Sequence, residues 1–234
     1  MARTVVVTQS NYLPWRGWFD MVRQAEDLIL LDSVQFTRRD WRNRNRIKTP
    51  QGPVWLTVPV EVKGRFEQAV DETRISAPWA ESHLRSIALA YTRAPHFPNV
   101  FAWLETTLRA TAEEPNLSRM NEALIRAFCA RLGIGTRIRR DGELLPRESL
   151  PALDPSERLA ALTEAAGGTR YISGPAANAY LDPMPFERRG IEIVWMDYSG
   201  YPEYPQLWGA FEPAVSVVDL MLHLGPDAPR YLGR

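Results

Sequence analysis

Short runs of β-branched and aliphatic residues alternate along this chain with stretches whose apolar positions recur every three or four residues. Thr4 to Thr8 is the first such run and reads as a buried strand. After the polar turn-former stretch Gln9 to Gly17, residues Trp18, Met21, Val22 and Ala25 share one helical face. Leu28 to Leu31 is the next strand. The opening is therefore strand, polar loop, helix, strand, a Rossmann-like βαβ unit best satisfied by a parallel sheet with a right-handed crossover. Val54 to Val62 reads as a further strand, with Pro59 placing it at an edge or a bend.

Downstream, Ser76 is positioned to cap a helix in which Trp79, His83, Ile87 and Tyr91 follow at intervals of four. Val100 to Ala112 and Asn121 to Leu132 read as amphipathic helices, and Ile134 and Ile138 mark a short strand. Pro146 to Pro155 is turn-rich. A helix follows over Glu157 to Ala166, then a strand at Tyr171 and Ile172, a Ser173-Gly174-Pro175 turn and a short helix to Leu181. A strand in EIVWMDY, an aromatic loop and a last helix in VSVVDLMLHL complete the chain. The pattern predicts an α/β fold: one globular domain over 1–234, with a mixed or mainly parallel sheet flanked by helices and a conceivable subdivision at 145/146.

The segment Asp32 to Lys48, DSVQFTRRDWRNRNRIK, breaks the alternation. It carries six cations (Arg38, Arg39, Arg42, Arg44, Arg46 and Lys48), the amides Gln35, Asn43 and Asn45, the carboxylate Asp32 and Trp41. It reads as a polar connection between two strands, poor material for a core and good material for a site; a solvated arginine-rich hairpin is the alternative. Since ligands of open parallel sheets bind beyond the carboxyl ends of the strands, the loops starting at Gln9 and at Asp32 should converge on one crevice.

Composition narrows the classes. Of 234 residues, 45% are hydrophobic and 24% charged, and the formal net charge is zero, so no global field draws the protein to nucleic acid or a membrane. No run approaches the ~20 apolar residues of a membrane helix, and no secretory leader is evident. The single cysteine, Cys129, excludes an internal disulfide framework. The expected location is the cytoplasm.

Candidate chemistry is sparse. His83 reads either as a satisfied core histidine or as a base at the crevice edge. Cys129 lies in an apolar helical segment and reads as core. Ser173-Gly174 offers backbone donors to an anion but is no Walker motif. Tyr204 and Gln206 could wall a ligand or pack over a core edge. Asp219 near a helix start is explained by the helix dipole. Histidines at 83, 96 and 223 give no metal-ligand spacing, and GxGxxG and GxxxxGK[ST] are absent. No metal and no cofactor are expected.

Several motifs together resemble the WbqC-like family of bacterial proteins: QSNYLPWRGWF, LLDSVQFTRRDWRNRNRI, WAESHLRSIALAYTRAPHF, RLAALTEAAGGTRYISGPAANAYLD and YPQLWGAFEPAVSVVDLMLHLGP. Almost the whole chain is covered in order, and WRNRNRI is the most specific element. The motif positions carried over are Gln9, Tyr12, Pro14, Gly17, Asp32, Gln35, Trp41, Asn43, Arg44, Asn45, His83, Tyr91, Ser173 and Gly174. Ser33 departs from the pattern, standing where many members carry a second acidic residue. The resemblance implies a role in surface-polysaccharide, O-antigen or natural-product biosynthesis, as a transferase moving an acyl or aminoacyl group to an amine.

On that reading Arg38, Arg44 or Lys48 pair with phosphate. Gln9, Gln35, Asn43 and Asn45 hydrogen-bond sugar hydroxyls or an acyl carbonyl, with Tyr12, Trp41, Tyr91, Ser173, Tyr204 and Gln206 lining the site. His83 or Asp32 takes the amine proton. The partner is a small-molecule or carrier-bound substrate: a nucleotide-sugar, an acyl-CoA or an acyl carrier protein. Two alternatives stand beside it. One is nucleotidyl or adenylyl transfer, by fold-level analogy with HIGH-type nucleotidylyltransferases, although their paired histidines are missing. The other is a nucleic-acid-binding module, since Arg and Trp interleave in 38–48; zero net charge counts against nucleic acid. Oligomeric state is left open.

Overall fold

The computed structural model describes residues 2–233. Strand β1 (Thr4–Thr8) leads through helix α1 (Arg16–Arg23) into β2 (Asp27–Leu30). The hairpin β3 (Arg44–Thr49) and β4 (Gly52–Thr57) follows, then three helices, α2 (Ala80–Tyr91), α3 (Phe97–Ala112) and α4 (Leu117–Arg131). Next come β5 (Arg137–Arg140), α5 (Pro155–Ala165), β6 (Arg170–Ser173), α6 (Met184–Glu187), β7 (Glu192–Trp195) and α7 (Val217–Leu224). The main sheet has the order β5-β2-β1-β6-β7, and every pairing in it is parallel. The expected α/β fold with a βαβ opening is what the chain forms.

The alternation within β1 explains the layering. Val6 packs on one side with Leu28, Leu30, Phe19, Val22 and the helices α2, α3, α4 and α7. Val5 and Val7 face the other side with Ile29, Tyr171, Leu162 and Phe186, under α5 and α6. Successive side chains of a strand point to opposite faces, so an unbroken apolar run signals a sheet buried on both. From β1 the chain winds outward to β2 and β5, then returns to β6 on the opposite flank of β1. The strand order therefore reverses between β1 and β6, and a crevice forms beyond their carboxyl ends.

Three expectations need correction. The segment 38–48 is not wholly a connection, because Arg44–Thr49 is strand β3, paired antiparallel with β4. In β3, Asn45 and Ile47 are buried while Arg44 and Arg46 are half-buried on the other face. The strand anticipated over Val54 to Val62 ends at Thr57; beyond it, Val60 makes an isolated bridge with Ile75. Ser76 does not cap α2, whose N-cap is Trp79 with no side-chain cap. Asp154, by contrast, caps α5 by accepting from the Ser156 N–H at 2.9 Å.

Among the described residues no helix is long and apolar enough to cross a membrane.

Candidate functional site

The loop from Gln9 to Trp15 follows β1 and is fixed from three sides. Asp32, 3% exposed at the end of β2, accepts from the Ser10 N–H at 2.8 Å on one carboxylate oxygen and from the Ser118 hydroxyl on the other. Burial raises its carboxyl above the ordinary range, partly offset by those donors. Asn45, 2% exposed in β3, donates to the carbonyls of Tyr12 and Leu13 at 3.2 and 2.8 Å. Leu13 needs that restraint, since it holds a left-handed φ of +43° directly before Pro14, where the chain ordinarily prefers extended backbone. The third restraint is the Tyr12 N–H, which donates to the Trp41 carbonyl at 3.0 Å.

Two hollows flank this loop. On one side is a cleft of about 290 Å³ lined by Asn11, Pro14, Trp15, Trp41, Asn45 and Ala214. Its floor is an indole: a Cβ on Gly17 would stand 2.4 Å from the Trp15 ring, so only glycine leaves room for that ring to lie back on α1. Tyr198, just beyond β7, meets Trp15 edge-on at 4.9 Å between centroids. On the other side, a wider groove of about 740 Å³ is lined by residues including Gln9, Ser33, Gln35, Thr37 and Phe66.

Between them stands Arg42. Its guanidinium donates to the Asn11 side-chain oxygen and, at 3.5 Å, to the Gln9 carbonyl. Asp40 approaches it at only 3.4 Å. The Nε is buried without a partner. Burial pulls the group below the usual arginine range, opposed by Asp40 and Asp32; an arginine nevertheless stays cationic. Arg42 lines neither hollow itself but bonds to Asn11 of the cleft and Gln9 of the groove; a desolvated, incompletely paired guanidinium is in general a partner for phosphate or carboxylate.

The candidates read from the chain divide between the site and its supports. Gln9, Gln35, Trp41 and Asn45 line the hollows. Tyr12 does not, being fully buried; its hydroxyl donates to His83 Nδ1 at 2.8 Å. His83 Nε2 faces the Thr57 carbonyl at 3.2 Å, which can only accept, so the ring is the neutral Nε2–H form. Burial pushes its pKa down to about 4. The structure thus matches the core reading of His83. Asn43, also buried, donates to the Val58 carbonyl at 2.8 Å and ties the start of the hairpin to the chain just beyond β4. Ser173, 8% exposed, ends β6 at the strand-order reversal, and the adjacent Gly174 lies near the Tyr198 hydroxyl.

Tyr91, Tyr204 and Gln206 do come together, but around a residue the pattern had explained away. Asp219, with no exposed surface, accepts from the Tyr91 hydroxyl at 2.7 Å, the Tyr204 hydroxyl at 2.8 Å and the Gln206 amide at 2.9 Å. Lys48 Nζ, buried, donates to the Gln206 oxygen at 3.0 Å and to the Ala210 carbonyl. This buried network ties the aromatic loop to β3 and α7; it is a fastening of the cleft's outer wall and is not itself open to a ligand. Lys48 is therefore spent inside the protein. Arg38 and Arg44 lie outside the cleft, donating to the carbonyls of Val62 (2.7 Å) and Arg39. Cys129 is buried, and its thiol is pushed up to about 12 by burial, the opposite of a poised nucleophile.

Sequence reasoning passed over Asn11, Trp15 and Arg42 as site residues. All three sit in or beside the two motifs that follow the first two strands, QSNYLPW and DWRNRN. Comparison with known proteins addresses the same motifs, because residues 9–231 match the WbqC-like protein family. The chain belongs to that family. A relative from Mycobacterium tuberculosis, an uncharacterized protein, is 46% identical over 233 residues, covering 98% of this chain and 97% of that protein. No solved structure matches the chain. Membership in the WbqC-like family thus rests on nearly the full length, including both loops of the crevice and the Asp219 network.

Proposed function

We propose that this WbqC-like protein is a transferase that joins an acyl or aminoacyl group to the amine of a sugar or other small molecule. The observation that carries this reading is the pair of hollows on either side of Gln9–Asn11, with Arg42 between them. A group transfer needs two substrates brought to adjacent sites, and holding them so removes much of the entropic barrier. The aromatic cleft of Trp15 and Trp41, with amides at Asn11 and Asn45, suits a ring-bearing, hydroxylated molecule such as a nucleotide-sugar. Arg42 suits its phosphate. The wider groove beyond Gln9 suits the extended arm of a thioester donor.

In such a transfer the amine nitrogen attacks the thioester carbonyl, the C–N bond forms, the C–S bond breaks and the thiol leaves. The amine sheds one proton, which ends on the thiolate or on solvent. Neither His83 nor Asp32 faces the hollows: both ring nitrogens and both carboxylate oxygens are engaged inside the protein. We assign them instead to positioning Tyr12 and Ser10.

Nucleotidyl transfer remains the second reading because the all-parallel order β5-β2-β1-β6-β7 places a crevice where such enzymes hold nucleotides. The two separate in one experiment. Purified protein is incubated with a nucleotide-linked amino sugar and either an acyl-CoA or ATP with Mg²⁺, and products are weighed by mass spectrometry. A product heavier by the acyl group supports acyl transfer; pyrophosphate release without it moves the assignment to nucleotidyl transfer.

A further inference from the structure

The hairpin leaves an aromatic face uncovered. Among the described residues β4 pairs only with β3, although Pro53 offers no N–H and the Thr57 carbonyl is already met by His83 Nε2 at 3.2 Å. Along β4, Pro53, Val54, Trp55 and Thr57 are exposed. Trp55 (43% exposed) and Trp41 (40%) lie 5.4 Å apart, centroid to centroid. Arg44 stacks on the Trp55 ring at 4.0 Å and Arg46 approaches it at 5.6 Å. An exposed tryptophan pair is a feature that soluble chains usually cover.

The electrostatics say what would cover this one. No acidic residue occurs from Trp41 to Val60. Among the described residues, Arg38, Arg39, Arg44 and Arg46 have no carboxylate within ion-pair distance; Arg38, Arg44 and Arg46 bond only to main-chain carbonyls. Asp40 is engaged with Arg42. The patch therefore carries uncompensated positive charge around an aromatic pair, with Trp and Arg enriched and acidic residues missing, as in the centres of protein interfaces. A second copy of the same hairpin would bring like charges together, so self-pairing is disfavoured. Nucleic acid is disfavoured by the zero net charge of the chain as a whole.

The patch is also continuous with the site. Trp41 lines the cleft. The Arg39 carbonyl receives Arg44, and two residues before Arg39 stands Thr37, at the rim of the wider groove, where Phe66 is 78% exposed.

We infer that the Trp41–Trp55–Arg44 face docks an acidic protein, a carrier that brings the thioester arm to the groove beside Gln9. What the partner carries rests on the transferase reading; that it docks here does not.

Titration of the full chain with a purified acyl carrier protein, bearing its phosphopantetheine thiol, tests this. The variants are Trp55→Ser and Arg39→Glu, each first confirmed as folded by its melting temperature. The expected result is saturable binding that weakens as salt rises. Trp55→Ser should raise Kd about tenfold or more, as an interface anchor does. Arg39→Glu, at an exposed position, should weaken binding and flatten its salt dependence. No binding, or binding by both variants as tight as by the wild type, overturns the inference. So does binding of a dT15 oligonucleotide with the same variant dependence while the carrier is ignored. Nucleotide-sugar binding that Arg42→Ala removes reports on the cleft separately, so loss of the docking surface and loss of the transferase reading are distinguishable.

Discussion

The side-chain amide of Asn45 donates to the carbonyl of Leu13 at 2.8 Å, thirty-two residues earlier in the chain. That bond joins the strand of the arginine-rich hairpin to the loop that carries the cleft. It explains how Leu13 is kept at a positive φ that costs on the order of 1–3 kcal/mol. The same amide reaches the Tyr12 carbonyl, and its oxygen receives the Arg46 N–H at 2.8 Å.

Asn45→Ala therefore leaves two buried carbonyls without donors. The expected loss is about 2–4 kcal/mol of stability, as a lowered denaturation midpoint. Asn45→Asp should be worse, because a carboxylate would face two carbonyl oxygens. An unchanged midpoint in both would mean that the loop is held by other contacts.

Gly17→Ala addresses the cleft floor. A methyl group there meets the Trp15 ring at 2.4 Å, so the indole must swing away. Nucleotide-sugar affinity should fall about tenfold or more, while helix propensity at this position improves slightly. Equal affinity in the two proteins would remove Trp15 from the binding surface.

His83 yields a pH signature. Its folded pKa of about 4 lies below the ordinary 6.5, so between these values the unfolded chain binds more protons than the folded one. Stability from this group is complete above about pH 6.5 and is lost as pH falls toward 4, by on the order of 3 kcal/mol in all. His83→Gln keeps a donor for Thr57 and an acceptor for Tyr12 but cannot titrate. Denaturation series from pH 4 to 7 should show a shallower slope for the variant. Parallel curves would show that His83 is not a buried neutral ring.

Asp219 is expected to matter for folding before it matters for activity. Asp219→Ala strands the Tyr91 and Tyr204 hydroxyls and the Gln206 amide, at a cost on the order of 3–5 kcal/mol. Burial and the adjacent Asp219 carboxylate drive both tyrosine pKa values upward, so the hydroxyls remain donors throughout the working range of pH. Differential calorimetry of Asp219→Ala and Tyr91→Phe should rank the first well below the second.

The helices and the parallel strands were legible because their partners are lipophilic and their periods clean: Val5 and Val7 against Val6, or Leu104 and Leu108 within α3. The hairpin strand β3 was not, although its alternation is present in RNRIK. Its inward position at 45 is an amide rather than an aliphatic, since it must reach main-chain carbonyls, and this hid the period of two. Glu203, Tyr204 and Gln206 read as polar groups amid bulky ones, and in the structure Tyr204 and Gln206 meet Tyr91 around Asp219. Their common partner was hidden because a carboxylate in the first turn of a helix is already accounted for by the dipole. Arg42 looked like one cation among six; only the fold shows that it alone of them is bonded to Asn11 and stands between the hollows. His83 lay on a helical face that suited core or crevice equally; its ring is buried, between Tyr12 and the Thr57 carbonyl.

The most direct test of the central claim is calorimetric titration of a nucleotide-linked amino sugar into the wild-type protein and Arg42→Ala, with melting temperatures measured alongside. A ligand bound only to the folded state adds about 2.7 kcal/mol of stability at a hundredfold excess over Kd. Wild-type protein is predicted to bind and to melt higher with ligand, and Arg42→Ala to remain folded while losing most of the affinity. Binding that survives Arg42→Ala unchanged, or none in either protein, would contradict a phosphate-bearing substrate in the cleft beside Asn11 and Trp41.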